Sequence, residues 1–264
     1  MNRGFIHPEI QKEDWIFGGR ETVINSERDW TDFLPKGEIQ RRKFETSSCT
    51  EFGWLNAIET LEKKKYGIDS NYSERFVSIG AENTPQGNDP HKVAEWIRKN
   101  KLIDESYLGF NDSIKDWDEY MTPSSLPRKL TNLAKKWPYL FTHTWIAEKG
   151  TALKERLERM WDALLYSPIP VSVDAWTKKG DLYVKEEGAP DNHWCVAVGV
   201  VKNSKWLVFD SYDDDNMFIK PLDWNYDFQF AKSFKLQCFV SQTDKLQSQT
   251  ETSCLTALWQ QFKR

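Results

Sequence analysis

Apolar side chains recur at helical spacing through SSCTEFGWLNAIETLEKK, where Phe52, Leu55, Ile58 and Leu61 fall on one face. Ser48 and Glu51 have capping-box spacing, which predicts Ser48 as N-cap and Cys49 as the first helical residue. Lys63, Lys64 and Lys65 end the pattern, where cations suit the helix dipole. Residues 66–90 hold Gly67, Asn71, Asn83, Pro85, Gly87 and Pro90 and read as loop. A helix is expected at about 90–100, carrying Val93, Trp96 and Ile97. Residues 101–150 suggest short helical pieces and no strand. TALKERLERMWDALLYS then spaces Leu153, Leu157, Met160, Trp161 and Leu164 as a helix.

After Ser167 the period changes. PIPVSVDAW reads as a strand, WCVAVGVV and WLVFDSY as a hairpin joined by KNSK, and SFKLQCFVS as a last strand. A helical first half and a sheet-rich second half predict an α+β fold of two lobes with a cleft between them. The expected organisation is a single domain over 1–264. It comprises an arm at 1–35, a helical lobe at about 36–150, a β-rich lobe at about 151–243 and a tail at 244–264.

Composition narrows the function classes. With 39% hydrophobic residues the chain should bury a core. A net charge of −4 argues against binding nucleic acid through phosphate attraction. The absence of a long apolar run argues against a membrane span. MNRGFIHPEIQKEDW lacks the apolar stretch of a secretory signal, so a cytoplasmic setting, or carriage in a virion, is expected. The four cysteines, Cys49, Cys195, Cys238 and Cys254, form no CxxC pair. Neither a zinc site nor another cofactor is expected, and free thiols are the default. The 13 Trp suggest large aromatic plugs in a core or a groove; Trp176, Trp194 and Trp224 could line the cleft or pack the core, and the core is favoured for each.

Two residues stand out chemically. A thiol at a helix N-terminus meets unpaired N–H groups and the positive end of the macrodipole, which favour the thiolate. Cys49 has that position, although a small buried residue would also suit it. His193 precedes the strand WCVAVGVV, poised at its mouth, where an imidazole can accept a thiol proton and return it to a leaving amine. His7, His91 and His143 lie in the arm, at a helix start and in loop-like FTHTW, and are weaker candidates. A base needs an orienting partner. If 202–205 form the hairpin turn, Asp210 falls opposite Ala197, too far along the strand for contact, and Asp214 falls opposite His193. Asp213–Asp215 also read as a solvated charge run. The Cys49 N–H can supply one oxyanion donor, and the Gln40 amide lies nearest upstream for a second.

Together these segments resemble the papain family of cysteine peptidases, from about Asp29 to Val240. DWTDFLP, Gln40 and SSCTEFGWLNAIE are similar to that family's mature start, oxyanion glutamine and nucleophile helix. TPQGNDPHKVAEWIRKNKLI resembles its substrate loop and second helix, NHWCVAVGVV its histidine strand and WLVFDSY its asparagine strand. The resemblance implies a papain-like fold with a helical N-terminal lobe and an antiparallel, barrel-like C-terminal lobe. It implies Cys49 as nucleophile, His193 as base and acid, Gln40 as oxyanion donor and Asp210 in the place of the family's asparagine. Tyr212 takes the place of the tryptophan that shields it, and Gln86 and Gly87 fall near the loop that holds substrate backbone. The chain departs from the pattern in three ways. The family spacing puts the glutamine at Lys43, so a small insertion separates Gln40 from Cys49. Thr46 stands where a disulfide cysteine is usual, and Asp replaces Asn. The stretch before Cys49 is also short for an inhibitory propeptide, as in a reduced bacterial or phage-like version.

The function expected is hydrolysis of a peptide or protein substrate through a Cys-His-Asp triad and a thioester. Two alternatives stand beside it. One is a catalytically impaired papain-like module that binds other proteins of an assembly such as a phage virion. The other is a cell-wall amidase or transglutaminase-type enzyme.

Overall fold

The computed structural model describes residues 24–36, 39–212 and 218–238. The expected central helix is α1, Cys49–Tyr66. It ends where Gly67 adopts a left-handed φ of 67° and returns its N–H to the Lys63 carbonyl, the usual glycine stop. Phe52, Leu55, Ile58 and Leu61 are buried, but so are Glu51, Asn56, Glu59 and Glu62. The helix is therefore enclosed on all sides rather than amphipathic. Ser48 sits at its N-cap without making the expected capping box. Its hydroxyl donates to the Thr46 carbonyl at 3.1 Å, while Glu51 accepts from Thr50 and Asn88.

Around α1 pack α2 (Glu74–Gly80) and α3 (Pro90–Asn100), followed by the short α4 (Trp117–Tyr120) and α5 (Arg128–Ala134). Helix α3 starts where Asp89 accepts from the His91 N–H at 2.7 Å, with proline at its first position. Helix α2 lies within the stretch expected to be loop. Its seven residues are too few to display a period, and it is held by Ser73, whose hydroxyl accepts from the Phe76 N–H.

Beyond these helices come β1 (Tyr139–Ala147), α6 (Leu153–Ala163), β2 (Ile169–Val173), β3 (Thr177–Lys179) and β4 (Leu182–Val184). The chain then runs through β5 (His193–Val201), β6 (Lys205–Phe209), β7 (Ile219–Asp223) and β8 (Ala231–Cys238). The eight strands form one mixed sheet in the order β1-β8-β2-β5-β6-β7-β4-β3. All pairs are antiparallel except β4 with β7. Strand β1 corrects the expectation that 101–150 holds no strand, and it places His143 in a strand rather than a loop.

The architecture is α+β and two-lobed, with a helical N-terminal lobe and a mixed-sheet C-terminal lobe. The two meet where α1 lies against β5. Gly53 permits that approach, since a Cβ there would lie 2.7 Å from Cδ1 of Trp194. Among the described residues no helix is long and apolar enough to cross a membrane.

Candidate active site

The joint between α1 and β5 brings Cys49 and His193 to one place. Cys49 opens α1, and its thiol takes a hydrogen bond from the backbone N–H of Trp194, the second residue of β5. His193 opens β5 and is fully buried, rather than poised at an open strand mouth. The approach to β5 is pinned on both sides. Asn192 donates to Asp174 at 2.9 Å and accepts from the Ala175 N–H. Asp191 is held by Lys185 at 2.5 Å and by Ser172.

His193 Nε2 lies 2.5 Å from Oδ1 of Asp210. A carboxylate only accepts, so Nε2 carries a proton, and in the neutral ring Nδ1 is then the acceptor nitrogen. That Nδ1 is buried and has no hydrogen-bond partner. The other Asp210 oxygen accepts from Trp176 Nε1 at 2.9 Å and meets the Lys220 ammonium at 3.1 Å. Burial would push the Asp210 carboxyl up; the His193 imidazole and Lys220 more than offset it, and its pKa lies below the ordinary aspartate value. The rings of Trp176 and Tyr212 stand edgewise to the imidazole, with centroids 6.0 and 5.2 Å away.

The hairpin register accounts for the choice of Asp210. Val201 pairs with Lys205, so the turn is one residue tighter than expected, and a bulge between Ala197 and Gly199 shifts the register once more. Val196 thus faces Phe209. Continuing that register sets Asp210 across from Cys195 rather than Ala197. Cys195 shares a face of the strand with His193, two residues away, and an aspartate side chain spans that gap. Asp214 lies outside the described residues.

Two thiols therefore lie at this centre, and both are free. Cys195, His193 and Asp210 are spatially arranged as a candidate thiol–imidazole–carboxylate triad, and Cys49 joins them from α1. Burial pushes the Cys49 thiol well above the ordinary cysteine value. The Trp194 N–H opposes that, and the charges of Glu51, Glu45 and Asp210 add to it. The Cys195 thiol is raised in the same way, burial first and then Asp210.

Gln40 is brought to the site but is already engaged. Its Nε2 donates to Glu45 Oε1 at 3.0 Å and to the Tyr212 hydroxyl at 2.9 Å. Its own oxygen accepts from Ser211 at 2.6 Å. Gln86 and Gly87 lie in a tight turn, where the Gly87 N–H reaches the Thr84 carbonyl at 2.8 Å and φ is 102° at the glycine. The Ser47 hydroxyl ties this turn to the loop before Cys49 through the Pro85 carbonyl at 2.9 Å. Asn83 clamps the same loop, donating to Ser48 Oγ at 2.9 Å and to the Thr46 carbonyl at 3.2 Å.

Glu45, Asn83, Trp176 and Lys220 are the site residues that sequence reasoning missed. Lys220 alternates with Leu222 on the buried face of β7, so an inward-facing lysine was a usable signal. Trp176 was expected in the core; it is half-buried and hydrogen-bonded to Asp210. Trp194 is in the core, as expected, and Trp224 is half-buried, stacked 5.4 Å from Trp206. Among the described residues no cluster of side chains could hold a metal ion.

No family model matches the sequence, and no curated protein matches it. Solved structures do match. Xylellain, a cysteine protease from Xylella fastidiosa, is 14% identical at a TM-score of 0.65, over 90% of this chain and 96% of that one. The bromelain protease from Ananas comosus, solved with an inhibitor, is 17% identical at 0.60, over 79% and 98%. A digestive procathepsin L proteinase from the Tenebrio molitor larval midgut is 15% identical at 0.63, over 89% and 78%. The class defined by this likeness is a fold: the chain has the papain-like cysteine-protease fold. At these identities the likeness extends no further than the fold.

Proposed function

We propose that the protein is a cysteine peptidase whose nucleophile is Cys49 and whose base is His193. The observation that carries this reading is the divided imidazole. Nε2 is bound to Asp210, while the buried Nδ1 has no hydrogen-bond partner. Such a nitrogen is a proton acceptor held in one tautomer, which is what activating a thiol requires.

Cys49 is favoured over Cys195 as the nucleophile. Cys49 stands at a helix N-terminus and receives the Trp194 N–H, and both features stabilise a thiolate. Cys195 lies within β5 with its sulfur towards the Val171 carbonyl at 4.0 Å, an acceptor that opposes an anion. In this reading Nδ1 of His193 takes the Cys49 proton, and the sulfur attacks the scissile carbonyl of a peptide or protein. The Cys49 N–H and the Gln40 amide hold the oxyanion. His193 returns the proton to the departing amine, and water then cleaves the thioester. Asp210 keeps the imidazole oriented and supports its positive charge, while Trp176 and Tyr212 exclude water from the pair. Gln86 and Gly87 lie where substrate backbone would run.

The test is hydrolysis of a denatured protein substrate by wild type, Cys49→Ala and Cys195→Ala. Loss of about 10⁴-fold or more is expected for Cys49→Ala and a small change for Cys195→Ala. Full activity in Cys49→Ala would sink the assignment.

A binding module is the second reading, and a specific observation favours it. Gln40, Cys49 and His193 are all fully buried, and the Gln40 amide has no hydrogen left to give. In that case Cys49 would react with no peptide electrophile, and the chain would act by docking to another protein of an assembly.

A further inference from the structure

Gln40 Nε2 carries two hydrogens, and both are spent. One goes to Glu45 Oε1 and the other to the Tyr212 hydroxyl. Glu45 accepts two more bonds: the Ser47 N–H reaches Oε1 at 2.8 Å, and the Tyr212 O–H donates to Oε2. The three side chains Gln40, Glu45 and Tyr212 thus close a ring. Gln40 lies at its buried side, and the half-buried Glu45 lies at its rim. The backbone supports this placement. Arg41 and Glu45 form a β-bridge, so residues 41–45 make a tight loop, and Arg41 lies over the Tyr212 ring at 5.9 Å. Phe44 anchors the loop against Phe110 and Tyr120, with centroids 5.9 and 6.0 Å away.

A carboxylate oxygen that accepts from an oxyanion donor stands in chemically for the oxyanion itself. We propose that Glu45 is an internal latch, its carboxylate holding the Gln40 amide closed until a substrate carbonyl displaces it. This rests on the peptidase reading. Glu45 is then a positioning residue: no covalent bond changes when it leaves, and one hydrogen-bond acceptor is exchanged for another. Its release acts twice in the same direction. It frees the Gln40 amide, and it removes one of the negative charges that oppose ionisation of Cys49. The latch also reconciles a complete Cys-His-Asp set with a buried thiol and a saturated amide.

The experiment compares wild type, Glu45→Gln and Glu45→Ala with two reagents. A blocked amino-acid p-nitrophenyl ester acylates through an oxyanion, whereas iodoacetamide alkylates the thiol without one. The latch predicts that kcat for the ester rises roughly ten- to hundredfold in Glu45→Ala and by less in Glu45→Gln, whose amide oxygen still accepts from Gln40, while alkylation of Cys49 rises by distinctly less than acylation. If Glu45→Ala fails to fold, Glu45→Leu, similar in size and without an acceptor, takes its place. Unchanged acylation, with Cys49 still alkylated, overturns the latch and leaves the peptidase reading standing. An equal rise in both reactions also overturns it, because Glu45 would then act on the thiol alone. If Cys49 reacts with neither reagent in any of the three proteins, both readings fall.

Discussion

Asp210 answers to three side chains at once, His193, Trp176 and Lys220, within a low-dielectric interior. Its two oxygens serve different ends, one orienting the imidazole and the other balancing a fully buried ammonium. Replacing it with asparagine would keep an acceptor for His193 Nε2 but would take the Asp210 carboxylate away from the buried Lys220 ammonium. Removing one partner of a buried pair costs about 3–5 kcal/mol. Asp210→Asn is therefore expected to lose stability on that scale in chemical denaturation. Asp210→Asn combined with Lys220→Met should recover most of the loss, because the charge that Asp210 balances goes with it. A double variant no more stable than Asp210→Asn would show that Lys220 is not what makes the aspartate necessary.

Elements decide how much of this was legible in the chain. Helix α1 and strand β5 were readable because each is long, α1 with apolar residues recurring at helical spacing and β5 as a nearly unbroken apolar run. Cys49 and His193 mark their first residues and came with them. Strand β1 escaped although YLFTHTWIA alternates faces, with Tyr139 and Phe141 buried and Leu140 and Thr142 exposed. It is an edge strand among the described residues, and its partner there, β8, lies at the far end of the described chain. Asp210 needed a bulge that no ideal count contains. The ring of Gln40, Glu45 and Tyr212 was invisible because it joins an upstream loop to a strand exit, and no local period encodes that contact. The joint between α1 and β5 is also an element-level constraint with a measurable consequence. In Gly53→Ala the new methyl meets Trp194 at 2.7 Å, within a helix enclosed on all sides. Overpacking of this kind costs about 1–3 kcal/mol. The helix must move away from β5, carrying Cys49 from His193. Both melting temperature and peptidase rate are expected to fall, and an unchanged rate would mean the joint does not set the thiol–imidazole distance.

At the scale of the whole molecule, a second cluster of ionisable groups ties the helical lobe to the sheet. His143 on β1 contacts Glu95 of α3 at 3.0 Å through Nε2, and its Nδ1 accepts from Lys232 of β8 at 3.2 Å. Lys232 also donates to His91 Nδ1 at 3.0 Å and lies 3.7 Å from the centre of the Trp145 ring. Both imidazoles must be neutral at Nδ1 to accept from an ammonium. Burial depresses His143 first of all, Glu95 pulls the other way, Lys232 and His91 push it down further, and its pKa falls to about 4. A histidine whose folded pKa lies below its unfolded value of about 6.5 binds fewer protons when native. Its contribution is thus intact above about pH 6.5 and is lost as the pH falls towards 4, by roughly 3 kcal/mol in all. Glu51 acts in the opposite sense over part of that range, since burial pushes its carboxyl up to about 7 and folding then favours the protonated form. The net slope of the wild type is consequently a sum, and the His143 share is read by difference. Melting temperatures of wild type and His143→Gln between pH 7 and 4 should converge as the pH drops, the variant losing less stability on acidification. Parallel curves would mean that His143 takes up its proton alike in the folded and unfolded chains, so that acid loosens the lobe–sheet contact through other groups.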